Sequence, residues 1–450
     1  MKILLATHFF PPGVSGGTES YTLGLARQLK AMGHSPHVVC AENWGKGRTY
    51  QPRHRDAPYE GIPVRRLSWN WQLAPDPFVN LFDNRQVERH MEAYLRELAP
   101  DVMHITSCYS LGSGIIRAAS HAGVPTVLTL TDFWFISPRQ TLRRGDGSLC
   151  DGPTSPAQCA CCLAADSTVY RVLTRALPSE LVARGLIHVN RWPLLGRQRG
   201  LRGYVGDVAF RRRALRRAFD QVDVAIAPSR ALKDVYVHNG FPSERIRLSR
   251  YGLDLNWRSH LQSRSRSDQL SVGYIGQIEP VKGVDVLVRA FRVIPHQSAE
   301  LRIFGDLDKN PPYAQRVRAL AGDDRRIQFM GPFERPRLAE VLSQVDVVAV
   351  PSVWLENAPV VIAEAFAAGR PVIATDLPGM SELVEHEVNG LLFSRGDVSA
   401  LANALNRFVE EPQLHEELVA GIQPVRSIGD EAATLVEVYA ALTRPLVTTP

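Results

Sequence analysis

Short runs of β-branched and other apolar residues alternate with helical patterns along most of this chain of 450 residues. KILLA leads into a helical stretch near residues 19–32, HVVC follows it, and DVMHI, TVLTL and VDVAIA each precede a further helical stretch. Strands that alternate with helices are typical of parallel sheets covered by helices. The pattern therefore predicts an α/β protein built on a doubly wound sheet.

The alternation stops at SHLQSRSRSDQ, residues 259–269, and starts again at LSVGYIG. It then continues through LRIFG, IQFMG, VDVVAV and PVIAT, which predicts a second doubly wound domain. A chain of 450 residues is also too long for one core. We predict a first domain over 1–260, a second over 261–430 and a tail over 431–450. Ligands are expected in the cleft between the carboxyl edges of the two sheets.

Charge and hydropathy leave several classes of partner open. The formal net charge of +6 is compatible with nucleotide phosphate, acidic lipid or nucleic acid. The opening MKILLATHFFPP reads as a strand, so we expect no signal peptide, and no run approaches the roughly 18 apolar residues of a membrane span. We expect a cytoplasmic protein, either free or peripheral at the inner face of the membrane.

An insertion over about 137–220 contains four cysteines and then an arginine-rich stretch from about 163. The arginine-rich stretch could form a basic surface that binds membrane lipids or a charged acceptor. The alternative is a helical insertion whose charges are solvated.

Two glutamates, Glu356 and Glu364, stand on either side of a short apolar run. Pro359 suits a first helical turn, so a helix is predicted to start near Ala358 or Pro359, with free backbone N–H groups suited to phosphate. Glu364 could then hold a ribose diol, and Glu356 the hydroxyls of the group that the diphosphate carries. That arrangement describes a nucleotide sugar. In the alternative interpretation, Glu356 is an acid at the end of a helix and Glu364 is a surface residue, and neither binds a ligand. The phosphate cradle would comprise Asn357, Ala358, Pro359 and Val360.

A second phosphate contact is predicted in GYIGQIEPVKGVDVLVRAF. Gly276 makes a turn directly after a strand, and Lys282 stands at the entry to the next helix. The lysine is placed to neutralise phosphate charge, although a lysine in a loop is often solvated.

These motifs, together with GPF, APS, YGLD and VNGLLF, resemble in order and spacing the family-four retaining glycosyltransferases of GT-B fold. The resemblance covers nearly the whole chain and is strongest over 273–393. It implies two Rossmann-like domains facing across a cleft, with a nucleoside diphosphate sugar bound mainly to the second and an acceptor mainly to the first. It also implies transfer with retained anomeric configuration and no metal required for the chemistry. Glycan, glycolipid or glycoconjugate synthesis is the expected context, with a saccharide, lipid-linked or small-molecule acceptor.

By the same resemblance, Glu356 and Glu364 are the two acids of the family's E-x7-E motif, and Lys282 is its phosphate-binding lysine. Gln277 occupies the position where many members carry an arginine, so one charge contact to the diphosphate is missing. Gly16 and Gly17 match the glycine-rich loop beneath the donor phosphate, or else form a simple turn.

One position departs from the family pattern. Thr131 and Asp132 stand where many relatives carry a His-Asp pair. Asp132 is then either an acceptor-side group or a cap at the end of a strand. Without the histidine, a non-catalytic nucleotide-sugar-binding subunit and a GT-B epimerase remain alternatives. A nucleic-acid binder would need a module that reads bases, and none is expected.

The cysteines fall into two groups. Cys150, Cys159 and Cys162 resemble a pattern in a bacterial subset of the family, in which a fourth cysteine often stands where Ser137 is here. Four thiolates would suit a structural zinc, and free or transient thiols are the alternative. Cys40 and Cys108 are predicted to be buried core thiols. Two other matches, DLD at 306–308 and GVSGG at 13–17, are interpreted as coincidences.

Overall fold

A computed structural model describes residues 1–13, 16–145, 147–152, 155–165, 181, 185, 205–262, 269–294, 299–411 and 413–444. Its contacts group into two units. The first contains residues 1–228, 232–250 and the C-terminal segment from Gly429, and the second contains 229–231 and 251–428. Ser15, most of the arginine-rich stretch and the middle of the polar stretch at 259–269 lie outside the described residues. The predicted domain boundaries at 260 and 430 stay predictions.

The first unit contains a sheet of eight strands in the order β3-β4-β2-β1-β5-β6-β7-β8. All neighbours are parallel except β3, which pairs antiparallel with β4. The antiparallel strand at the edge has no counterpart in the sequence prediction. The strands are β1 Lys2–Thr7, β2 Ser35–Trp44, β3 Arg53–Asp56, β4 Val64–Trp69, β5 Val102–Ile105, β6 Thr126–Thr129, β7 Val224–Ala227 and β8 Ile246–Leu248.

The second unit contains a parallel sheet of six strands in the order β11-β10-β9-β12-β13-β14. Every β-branched run singled out in the sequence forms a strand in one of the two sheets, which confirms the predicted α/β class. The strands are β9 Leu270–Ile275, β10 Ala299–Phe304, β11 Ile327–Gly331, β12 Val347–Val350, β13 Val372–Thr375 and β14 Gly390–Phe393.

Apart from β2, β3 and β4, which follow one another directly, successive strands of both sheets are joined through helices. No helix in the described part of the chain is long and apolar enough to cross a membrane. The described helices are α1 Gly17–Ala31, α2 Pro77–Asn80, α3 Arg85–Leu98, α4 Gly114–His121, α5 Pro156–Ala164, α6 Val205–Phe219, α7 Arg230–His238, α8 Val284–Arg292, α9 Pro311–Ala321, α10 Leu338–Ser343, α11 Val360–Ala367, α12 Pro378–Ser381, α13 Val398–Glu410, α14 Leu414–Ala420 and α15 Ile428–Thr443.

The C-terminal segment that the sequence suggested was a tail contains helix α15, which packs on the first unit. The Tyr21 hydroxyl donates to the Glu431 carboxylate at 2.8 Å, and Glu431 is fully buried. The Tyr439 hydroxyl lies 2.5 Å from Nδ1 of His104, which is buried in β5. The last helix therefore contributes to the core of the first unit.

Burial of His104 predicts a pH dependence of stability. Both ring nitrogens are hydrogen-bonded, Nε2 to Thr129 at 2.7 Å, and burial lowers the pKa of His104 to about 3. In the unfolded chain a histidine binds a proton near pH 6.5, whereas the folded His104 stays neutral down to about pH 3. The contribution of His104 to the free energy of unfolding is therefore complete above pH 6.5 and is lost as the pH falls toward 3. Between pH 6.5 and 5 the loss should be about 2 kcal/mol.

Urea unfolding at pH 7.5, 6 and 5 tests this expectation. The His104→Gln variant should lose less stability over this range than the unmutated chain. The matched control is His121→Gln, which alters an exposed histidine at the end of α4 and should keep the original slope. Equal slopes for His104→Gln and the unmutated chain would contradict the prediction.

Candidate functional site

The polar residues singled out in the second unit lie where the order of its strands reverses. Strand β9 is flanked by β10 on one side and β12 on the other, so the chain leaves β9 toward one edge and leaves β12 toward the other. Doubly wound folds bind ligands outside the carboxyl ends of the strands at such a switch point. Segment 276–283 follows β9, and segment 351–359 follows β12. This crevice is the candidate site.

Glu356 lies at this switch point, and its buried carboxylate is the centre of a hydrogen-bond cluster. Its Oε1 atom accepts from Lys282 Nζ at 2.6 Å, from Ser352 Oγ at 2.7 Å and from Trp354 Nε1 at 2.9 Å. The Lys282 ammonium also lies 5.4 Å from the centre of the Trp354 ring. A buried carboxylate needs a paired charge and hydrogen bonds, and these groups supply both. The structure thus joins two predicted site residues in one ion pair.

Gly283 explains how Lys282 is held in that position. Its φ of +68° lies in the left-handed region that favours glycine. A Cβ atom there would stand 2.0 Å from the carbonyl oxygen of Pro351, so the turn packs directly on the chain that leaves β12. The short 3-10 turn at Pro280–Lys282 is therefore fixed against the segment that carries Glu356.

The helix predicted near Ala358 starts at Val360, with Pro359 as the preceding residue, so it begins one residue later than expected. Pro359 has extended backbone and makes no side-chain cap hydrogen bond. The first amides of a helix have no partner within the helix, and together with its dipole they favour an anion. Before the helix, Asn357 Oδ1 lies 3.2 Å from Ser229 Oγ, which belongs to the APS motif.

Glu364 is buried within α11, which excludes the surface position considered for it. Its Oε1 atom accepts a hydrogen bond from Arg335 Nη2 at 2.6 Å. Arg335 follows β11 and is about half exposed. One oxygen of the carboxylate is therefore already paired with a cation that the sequence analysis did not identify.

Gly276 and Gln277 directly follow β9, at the same edge of the sheet. The Gly276 amide donates to the carbonyl of Phe304 at 3.0 Å, and the Tyr274 hydroxyl donates to the carbonyl of Gln277 at 2.6 Å. The Gln277 residue is exposed. These two backbone hydrogen bonds fix the conformation of the turn, and the Gln277 side chain is accessible to a ligand.

In the first unit, Gly16 and Gly17 open helix α1, where Gly16 is the N-cap. The Glu19 carboxylate folds back over this turn and pairs with His8 Nε2 at 3.1 Å. A Cβ atom at Gly16 would stand 2.6 Å from the Glu19 carboxylate, so a larger residue there would displace this side chain. Burial alone would raise the pKa of Glu19. The hydrogen bond and charge of His8, together with hydrogen bonds from the backbone of Glu19 and Gly16, outweigh this effect, so the pKa is lowered.

Asp132 follows β6 and accepts a hydrogen bond from the Trp134 amide at 2.7 Å, which is the cap considered for it. Burial raises the pKa of Asp132, and the Trp134 amide bond and the charges of His8 and Arg211 oppose this only in part. Arg211, from helix α6, is itself buried, donates to the Trp134 carbonyl and lies 5.4 Å from the Trp134 ring. Burial lowers the pKa of Arg211 to about 10. Thr131 donates to the Thr106 carbonyl at 3.3 Å.

The cysteines at 150–162 are the candidate ligands of a structural zinc. Among the described residues, the sulfurs of Cys150, Cys159 and Cys162 are not gathered so that all lie within 4.8 Å of one another. Burial and its two neighbouring thiols raise the pKa of Cys159 to about 12. The zinc site stays a prediction. Cys40 and Cys108 are buried, which confirms the interpretation as core thiols.

Sequence reasoning missed four residues of these surroundings: Ser352, Trp354, Arg335 and Arg211. The first two lie within four residues of Glu356, so a search for donors beside the acid could have found them. Arg211 stands four residues before the buried Leu215, at the spacing of a buried helical face. For Arg335 no local pattern gives a signal.

Two family models match the chain. The model described as "Glycosyl transferase 4-like domain" matches residues 16–252, just over half of the chain, and the model described as "Glycosyl transferases group 1" matches residues 269–411. The first match spans most of the first unit, and the second includes the switch point of the second sheet.

The chain is also similar to curated glycosyltransferases over part of its length. A D-inositol 3-phosphate glycosyltransferase of Xylanimonas cellulosilytica is 34% identical over 177 residues, which are 38% of this chain and 42% of that protein. The amylovoran biosynthesis glycosyltransferase AmsK of Erwinia amylovora is 30% identical over 203 residues, 42% of this chain and 48% of that protein. The chain thus spans less than half the length of the curated relatives it matches.

The fold is also similar to that of a solved structure, Anabaena Alr3699/HepE in complex with UDP. The TM-score is 0.66 at 18% identity, over 98% of this chain and 100% of that one. This likeness confirms the predicted GT-B fold with its two Rossmann-like units.

Proposed function

Because the chain belongs to the glycosyl transferase 4-like family, we propose that it transfers a sugar from a nucleoside diphosphate sugar to an acceptor hydroxyl, with retention of the anomeric configuration. The observation that carries this proposal is the buried Glu356 carboxylate, bonded to Lys282 beside the uncapped start of α11. A cation and free amides suit a diphosphate, and a carboxylate beside them suits sugar hydroxyls.

Lys282 and the first turn of α11 stabilise the leaving diphosphate. Cleavage of the bond to the sugar places negative charge on the diphosphate and positive charge on an oxocarbenium-like sugar. An ammonium has three N–H donors, so the bond to Glu356 leaves two of them for phosphate oxygens. The amides before Ile362 add a fixed positive potential. These groups act without a divalent metal.

Glu356 has two tasks in this proposal. It orients the Lys282 ammonium, and its negative charge faces the electron-poor sugar that forms during transfer. Ser352 and Trp354 fix the carboxylate, so its geometry does not have to be reorganised when the donor binds.

Glu364 is proposed to hold the ribose of the donor through the carboxylate oxygen that Arg335 does not occupy. Arg335 holds the Glu364 carboxylate in a single orientation, and its exposed part is available to the base or the phosphates. HepE was solved with UDP, which makes uridine diphosphate sugars the first donors to test. The glycosyltransferase AmsK, named for amylovoran biosynthesis, supports a role in polysaccharide synthesis.

A donor panel followed by product analysis tests the proposal. Thermal unfolding is measured with UDP, GDP and ADP sugars, and the selected donor should raise the midpoint because it binds the folded state. Proton NMR of the product then reports the anomeric configuration. A donor that is bound but never transferred would favour the non-catalytic alternative, isomerised donor without acceptor would favour the epimerase, and an inverted product would refute retention.

A further inference from the structure

Two histidines from different elements of the first unit lie side by side. Successive side chains of a strand point to opposite faces, so His54 and Asp56 share one face of β3 and Arg55 is on the other. His90 belongs to helix α3, where it shares a face with Glu97, seven positions later. The two imidazole rings lie with their centres 5.1 Å apart and their planes at 52°. The edge strand and the helix therefore contact each other through a pair of imidazoles.

The separation of the two rings is the one that a shared metal ion requires. Zinc binds imidazole nitrogens at about 2.0–2.1 Å in tetrahedral geometry, which places the centres of two rings on one ion about 5 Å apart. A simple contact between rings would also give this distance, but it would leave Nε2 of His90 buried with no hydrogen-bond partner among the described residues. Buried polar atoms nearly always have a partner. A metal ion bound to His90 supplies the missing one.

The charges around the two rings favour a cation. The carboxylates of Asp56 and Glu97 both pair with the Arg65 guanidinium, each at 2.9 Å. Two anions around one cation leave a net negative charge beside the imidazoles. Burial lowers the pKa of His90 to about 4 against the opposing charges of the two carboxylates, so the ring is neutral at pH 7.5, which is the form that binds a metal.

Another group of potential ligands in the same unit does not suit a cation. Glu88, Glu92 and His121 place three ligand atoms within 4.8 Å of one another. The guanidinium groups of Arg117 and Arg85, however, each donate to both carboxylate oxygens of Glu88. A metal ion would have to displace two cations from a buried carboxylate. This cluster is therefore a network of ion pairs, and it provides a control for the histidine pair.

We propose that His54 and His90 bind one zinc ion, which links the edge strand β3 to helix α3. The two imidazoles are the protein ligands, and water completes the coordination. Strand β3 has only four residues, all of them exposed, so a link to α3 adds to the pairing with β4 that orders it. Two protein ligands hold zinc less tightly than the four of a structural site, so occupancy follows the zinc concentration. The proposal does not depend on sugar transfer.

Calorimetric titration of the metal-free protein with zinc chloride at pH 7.5 tests the proposal. The unmutated protein should bind one equivalent that His54→Gln and His90→Gln each weaken at least about tenfold. His121→Gln, in the network of ion pairs, and Cys159→Ser, among the thiols, are the controls and should leave this equivalent unchanged. Zinc should also raise the midpoint of thermal unfolding, and it should do so less for His54→Gln.

An unchanged affinity of the His54→Gln variant would overturn the proposal, because His54 is exposed and its replacement leaves the core intact. A loss confined to His90→Gln would reflect altered packing of α3 and would overturn it as well. The same holds if the zinc equivalent disappears in His121→Gln or Cys159→Ser, or if the unmutated protein binds no zinc.

Discussion

The Glu356→Gln variant is expected to keep its fold and to transfer sugar about 10²–10³-fold more slowly at saturating donor. The amide oxygen of glutamine can still accept from Ser352 and Trp354, so the local hydrogen bonds persist. The negative charge does not persist. The Lys282 ammonium then lacks its partner, and the developing oxocarbenium ion loses the carboxylate that faces it.

Initial rates over a range of donor concentrations give kcat and KM for this variant, and thermal unfolding with the donor reports binding. The matched control is Glu340→Gln, which removes a charge from an exposed pair with Arg337 in the same unit and should leave both constants unchanged. A kcat within tenfold of the unmutated value would show that the charge of Glu356 is not needed for transfer.

The strands could be predicted from the sequence because their signal is local. A run such as VDVVAV is apolar and β-branched whatever surrounds it, and such a run forms a buried strand in a parallel sheet. The contact between Lys282 and Glu356 has no such local signal, because 74 positions separate the two residues along the chain. No periodicity links them. Their proximity depends on β9 and β12 pairing side by side, which the sheet order shows.

Pairings that depend on tertiary packing could not be predicted. Helical register marks Arg211 as one of the buried positions of FRRRALRRAF, but the Trp134 carbonyl to which it donates lies 77 positions away. Arg335 reaches Glu364 from the segment after β11, across 29 positions, without any pattern of charge that marks it. The antiparallel strand β3 is short and polar, and pairing with β4 is what orders it. In each case the deciding interaction is distant in sequence.

The Lys282→Met variant is expected to lose about 10³-fold in kcat/KM for the donor, because one charge-assisted contact to the diphosphate disappears. Methionine keeps much of the length and the apolar stem, so the packing beside Trp354 changes little. Lys309→Met, in an exposed loop of the same unit, is the matched control and should behave like the unmutated protein. A loss confined to KM would show that Lys282 binds the donor without stabilising the transition state.

The double variant Glu356→Gln/Lys282→Met shows whether the pair acts as one unit. Residues in direct contact are non-additive when each depends on the other for its effect. Because Lys282 Nζ lies 2.6 Å from Glu356 Oε1, the second substitution should add less than tenfold to the loss caused by the first. Losses that multiply in full would show that the lysine serves the diphosphate and the glutamate serves the sugar independently. In that case the ion pair would describe only the protein before its donor binds.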